Sequence, residues 1–151
     1  MMYKIAVVDD DPNWCYAVQR FFRKDFEVCT FTKVCYFLPH SIEYDLVLVD
    51  YSIPPAVYED EIEGCDLIHH LKSTLSNPPL LVLSSAFIGQ SDSDLGKKIC
   101  PEADAFFAKD AGLEALLQET KQLLASRLPK LRNTEENLSK PFKIQNGKAQ
   151  W

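Results

Sequence analysis

The stretch IAVVDDDP, residues 5–12, decides the fold. Four apolar residues run without alternation into three consecutive carboxylates. An apolar run with no polar face is a strand buried on both sides. Asp11 followed by Pro12 is a helix start: a carboxylate to cap the first turn, then a proline where a missing N–H costs nothing. A buried strand passing straight into a helix is one βα unit. Asp9 and Asp10 are left at the junction. Like charges repel and burying an unpaired carboxylate is costly, so the pair calls for a counter-charge.

Working outward, the unit recurs. Trp14, Val18, Phe21 and Phe22 follow at helical spacing to about Arg23, and Phe26–Phe31 alternates in part as a second strand. Thr32 is placed to cap a short helix that Pro39 ends. Asp45–Asp50, DLVLVD, is a third strand that again finishes on a carboxylate. A loop over Tyr51–Glu63 leads to Gly64 and a helix carrying Leu67, Ile68 and Leu71. Leu80–Leu83 is a fourth strand, ending at Ser84 and Ser85. Ser91 or Ser93 caps a modest helix through Ile99. Ala105–Ala108 is a short fifth strand that ends at Lys109. Asp110 then caps a strong helix with Leu113, Leu116, Leu117 and Leu124 on one stripe. Five βα units in series predict an α/β fold: a five-stranded parallel sheet, doubly wound, with right-handed crossover helices on both faces.

The bulk numbers agree. With 151 residues the chain fits one domain with a real core, and 46% hydrophobic with 25% charged residues is ordinary for a soluble protein. A net charge of −6 argues against nonspecific nucleic-acid binding, which needs a basic surface. No apolar run approaches the ~20 residues of a membrane span. The N-terminus lacks the apolar stretch and cleavage site of a signal peptide, so a cytoplasmic protein is expected. Five scattered cysteines without a C-x-x-C pair read as reduced thiols packed as small hydrophobes. His69 and His70 cannot share a helical face, which predicts one half-buried and one exposed ring. Pro129 closes the regular region. The tail, 129–151, takes five of the 16 bases and two of the 22 acids, so 11 bases and 20 acids leave −9 on the rest. It reads as a mobile or loosely docked extension of a folded part spanning 1–128.

In an open parallel sheet, ligands bind beyond the carboxyl ends of the strands where the winding reverses. Those ends deliver Asp9 and Asp10 (first strand), Asp50 (third), Ser84 (fourth) and Lys109 (fifth). Three carboxylates cannot all stay ionised without a cation. Mg²⁺ suits them, with Mn²⁺ as a substitute, since such hard ions take a few carboxylate oxygens and keep waters. One carboxylate can then act as a nucleophile toward phosphorus, with Lys109 and the Ser84 hydroxyl on phosphoryl oxygens.

The set VVDDD, DLVLVDYSIP, LLVLSS and FFAK resembles the receiver domain of two-component response regulators, of the stand-alone chemotaxis-regulator kind, over about Lys4 to Leu128. The resemblance implies a flavodoxin-like (βα)5 fold with strand order 2-1-3-4-5. It implies that Asp9 and Asp10 bind the metal, Asp50 accepts the phosphoryl group and the Ser52 carbonyl is a backbone metal ligand. It makes Ser84 the switch hydroxyl, Lys109 the phosphate-contacting cation and Phe106 the switch aromatic. The implied partners are a histidine kinase or phosphotransfer protein upstream and a protein target downstream, with neither nucleic acid nor membrane contacted directly. The face of the fourth helix, fifth strand and fifth helix is the implied output or dimerisation surface. The chain is then not a metabolic enzyme, although it catalyses its own phosphorylation and dephosphorylation.

Four features depart from that pattern. Receivers usually place a glycine a few residues after the proline matched here by Pro54. This chain inserts PAVYEDEIE (55–63) before Gly64, read as a solvated acidic loop or a lid beside Asp50. Lys109 is followed by Asp110 where many receivers have proline, often after a cis peptide. Phe106 lacks the hydroxyl many relatives carry, and Glu102 stands where a glycine is common. Two other readings stay open. One is a receiver-like interaction module that does not cycle phosphate. The other is an aspartate-nucleophile phosphohydrolase, disfavoured because Asp50-Tyr51-Ser52 lacks that group's second acid.

Overall fold

The computed structural model describes residues 2–53, 62–89 and 93–130. Its central feature is a parallel sheet of five strands, β1 (Lys4–Val8), β2 (Glu27–Phe31), β3 (Leu46–Asp50), β6 (Leu80–Ser85) and β7 (Ala105–Ala108). They lie in the order β2-β1-β3-β6-β7, which is 2-1-3-4-5 when the sheet strands alone are numbered. A two-residue antiparallel ladder, β4 (Ser52–Ile53) with β5 (Ile62–Glu63), forms outside the sheet.

The strands are apolar without alternation because both faces are covered. Ile5, Val7, Leu46, Leu48, Val82 and Phe107 point to one side. There they meet Cys15, Val18 and Phe22 of α1 (Pro12–Phe22) and Leu116, Leu117 and Leu124 of α5 (Leu113–Leu124). Ala6, Val8, Val47, Val49, Leu81, Leu83 and Phe106 point to the other side. Val34 and Phe37 of α2 (Val34–Phe37), Leu67, Ile68 and Leu71 of α3 (Gly64–Thr74), and α4 (Ser93–Ile99) cover that face. The winding reverses between β1 and β3. Their carboxyl ends therefore open onto a crevice where no crossover helix sits.

Asp11 caps α1 as expected, its Oδ1 accepting the Asn13 N–H at 2.9 Å, with Pro12 in the first helical turn. Several boundaries differ from the sequence reading. In α1 Cys15 is buried where Phe21, 39% exposed, was expected. Thr32 does not cap α2. Lys33 occupies that position without a side-chain bond, and Pro39 opens a 3₁₀ helix (Leu38–Glu43) rather than closing the segment, since its fixed φ suits a first turn. Strand β6 runs through Ser84 and Ser85, which pair with Asp50 and Ala108. Asp110 does not cap α5. It lies in a 3₁₀ turn (Lys109–Ala111), and Gly112 at φ +92° turns the chain into the helix, a conformation L side chains avoid.

None of the five cysteines is in a disulfide, and Cys15 and Cys100 are buried. His69 is exposed and pairs with Glu102, while His70 is half-buried. Among the described residues no helix is long and apolar enough to cross a membrane. At the amino end of the sheet the buried Asp45 carboxylate accepts the Lys4 N–H at 2.8 Å and the Lys130 N–H at 2.7 Å. The acidic insertion, apart from Ile62 and Glu63, and residues 131–151 lie outside the described residues.

Candidate functional site

Strand register builds the site. Asp9 is the first residue past β1, Asp50 is the last of β3, and Ser84 lies opposite Asp50 in β6. Lys109 is the first residue past β7. The buried strands carry these side chains to one rim, and the turn at Gly112 sends α5 back along the opposite face. One oxygen from each of Asp9, Asp10 and Asp50 falls within 4.8 Å of the others.

Lys109 threads between the carboxylates. Its ammonium donates to Asp9 Oδ2 at 2.6 Å and sits 3.3 Å from Asp50 Oδ1. The second Asp9 oxygen accepts the Asp11 N–H at 2.9 Å. Asp9 is 1% exposed and Asp50 8%, whereas Asp10 faces solvent. With every group ionised, three carboxylates against one ammonium leave two uncompensated negative charges.

The electrostatics register that excess. Burial pushes the Asp9 carboxyl above its usual range, against the Lys109 hydrogen bond and the Asp11 N–H. Burial and the Asp9 charge push Asp50 up to about 7, Lys109 opposing. Burial disfavours the Lys109 ammonium, but its bond to Asp9 and the two carboxylate charges outweigh this and raise it. Cys15, whose thiol donates to the Asp9 carbonyl, is pushed up to about 11 by burial and the nearby acids. It is therefore a packed thiol with little nucleophilic character.

Three hard-oxygen donors with surplus negative charge at an otherwise buried rim fit a divalent cation such as Mg²⁺. The other expected residues stand at varying remove. The buried Ser84 hydroxyl donates to the Val49 carbonyl at 3.3 Å rather than to the carboxylates. Phe106 is turned into the core against Gly96. Ser52 sits in β4, register partner of Glu63, two residues past Asp50. The Lys109–Asp110 bond is trans, and the segment is held by the 3₁₀ turn instead.

One neighbour escaped the sequence reading. The Lys109 ammonium lies 5.0 Å from the centroid of the Trp14 ring. Trp14 fits the apolar stripe of α1, which by sequence reads as core. The available signal was its place in the first helical turn, one turn from Asp10.

No family model and no curated protein matches the chain. Solved structures do. The BeF3-activated receiver domain of DrrB shares 26% identity at a TM-score of 0.68, over 83% of this chain and 99% of that one. Against response regulator DrrB of Thermotoga maritima the identity is 26% and the TM-score 0.68, over 88% of this chain and 57% of that longer one. A CheY-like receiver domain protein from Methanospirillum hungatei is 21% identical at a TM-score of 0.62, over 83% and 95%. Sheet order, helix placement and these likenesses agree: along most of its length the chain has the receiver-domain fold of response regulators.

Proposed function

We propose that the chain is a phosphorylatable receiver that takes a phosphoryl group onto Asp50 from a histidine kinase or phosphotransfer protein and signals by protein–protein contact. One observation carries the reading: Asp9, Asp10, Asp50 and Lys109 meet at a single rim of a receiver fold. We assign 1–128 to the receiver and 129–151 to an extension.

Asp50 is the nucleophile. Its free oxygen attacks phosphorus, and the donor's P–N electron pair returns to the imidazole as the acyl phosphate forms. Lys109, already between Asp9 and Asp50, is placed to take a phosphoryl oxygen. Asp9, Asp10, Asp50 and the Ser52 carbonyl would hold Mg²⁺ or Mn²⁺, which when bound neutralises phosphoryl charge and lowers the repulsion among the acids. Ser84 supplies the switch. Among the described residues its hydroxyl makes only a long bond to Val49, and it can turn to a phosphoryl oxygen, leaving room toward which Phe106 repacks. The changed surface over α4, β7 and α5 would then meet the protein target.

The test uses the full chain with Mg²⁺ and acetyl phosphate, read by intact mass. A gain of about 80 Da, lost in EDTA and absent from Asp50→Asn, is the expected result. No adduct with any small donor or with beryllofluoride would favour an interaction module that does not cycle phosphate. An adduct that persists in Asp50→Asn would remove Asp50 as acceptor.

A further inference from the structure

We propose that Trp14 is a positioning residue for Lys109, its indole face completing a three-sided seat whose other sides are the Asp9 and Asp50 carboxylates. The proposal rests on the phosphoryl-transfer reading and adds a residue to it.

Two observations carry it. The ammonium lies 5.0 Å from the ring centroid, within the range at which an aromatic quadrupole attracts a cation. The Trp14 Nε1 is buried with no hydrogen-bond partner among the described residues. Burying an unpaired N–H is unfavourable, and an aliphatic side chain could fill this place in the α1 stripe without that cost. Packing alone therefore does not account for tryptophan here.

The seat matters because lysine is flexible. Its four-carbon stem loses much freedom when the ammonium is fixed, and two buried carboxylates compete for it at 2.6 and 3.3 Å. When Asp50 becomes an acyl phosphate, its oxygen loses charge and the phosphoryl oxygens gain the claim on the cation. A hydrogen bond is directional and would have to break for the ammonium to follow. Attraction to a ring face is broad, so Trp14 can keep hold of Lys109 while it shifts.

The experiment uses the full chain carrying Trp151→Phe, which leaves Trp14 as the one indole of the two in the sequence. Trp14→Phe, Trp14→Leu and biosynthetic replacement by mono- and difluorotryptophan are compared. Expected are a roughly tenfold slower acyl-phosphate formation in Trp14→Leu and rescue of most of the rate in Trp14→Phe. A graded loss should follow ring fluorination, which weakens the quadrupole without changing shape. Mg²⁺ affinity, followed by Trp14 emission or calorimetry, should stay within about twofold throughout.

A Trp14→Leu rate equal to the parent's, or fluorinated proteins as fast as the parent, overturns the proposal. The isosteric fluorinated set keeps the test valid if Trp14→Leu folds poorly. If the parent takes up no phosphoryl group, the phosphoryl-transfer reading fails separately. Trp14 emission then decides the contact: a shift on Lys109→Met supports the seat, and an unchanged spectrum rejects it.

Discussion

Asp50 is 8% exposed, and its carboxyl, pushed up to about 7 by burial and by Asp9, ordinarily titrates at 3.8. Between about pH 4 and 7 the folded, metal-free site holds a proton that the unfolded chain has released. Stability contributed by that proton is present at low pH, falls as pH rises through the window, and is gone above about 7. Asp50→Asn removes the charge. In EDTA at pH 8 it is expected to be more stable than the parent by on the order of 1–3 kcal/mol, a gain that closes toward pH 4. Urea melts across pH 4–8 measure this, and equal stability at pH 8 rejects it. Mg²⁺ should reverse the order, since a bound cation stabilises the ionised site by mass action. Asp9, Asp50 and Lys109 were legible because each stands where an apolar run stops, a place only the strand ends of a buried sheet create. Asp45 was not. By sequence it reads as the first residue of the third strand, one short of where β3 begins, and nothing local says that two amides from distant parts of the chain will close over it.

Helix α4 shows how an element is shaped by one contact. A Cβ added at Gly96 would lie 2.4–2.6 Å from Cγ, Cδ2 and Cδ1 of Phe106, nearer than any packed carbon comes. The ring therefore lies flat on the helix backbone, and glycine alone permits its inward position. Gly96→Ala gains about 1 kcal/mol of helix propensity yet must displace the whole ring or the helix. Overpacking of this kind costs about 1–3 kcal/mol. The expected outcome is a protein of equal or lower stability with Phe106 driven outward, and Phe106→Ala in the same chain should remove the penalty. A double-mutant cycle in denaturant measures the coupling, and a Gly96→Ala protein more stable than the parent sinks the argument. The strands were readable because β1, β3 and β6 are covered on both faces and carry the unbroken apolar runs Ile5–Val8, Leu46–Val49 and Leu80–Leu83. Helix starts were less so. Asp110 is a good cap by type, but the chain needs the 3₁₀ turn after Lys109 and the left-handed Gly112 before α5 can run antiparallel to β7.

Over the whole molecule, β3 separates two buried carboxylate centres. Asp50 closes the strand at the metal-fitting rim, and Asp45, five residues earlier, is ~16 Å away at the amino edge. There Asp45 ties the first strand to the end of the described chain through Lys4 and Lys130. The Lys130 ammonium, pushed down to about 8 by burial and by Arg127, donates to the Ile42 and Asn77 carbonyls beside it. Tyr3 adds a hydroxyl bond to the Leu124 carbonyl at 2.9 Å. The two ends of the described chain and the loops after α2 and α3 are thus clasped at the face opposite the site. Asp45→Ala orphans two half-buried N–H groups and is expected to cost about 1–3 kcal/mol, read as a lower denaturant midpoint with faster hydrogen exchange at Lys4 and Lys130. Among the described residues no side chain is shared between the two centres, so Asp45→Ala and Asp50→Asn should add to within about 0.5 kcal/mol. Below its melting range Asp45→Ala should bind Mg²⁺ as the parent does. Strong non-additivity, or loss of Mg²⁺ binding by the folded variant, would show that the clasp and the rim act as one unit through β3.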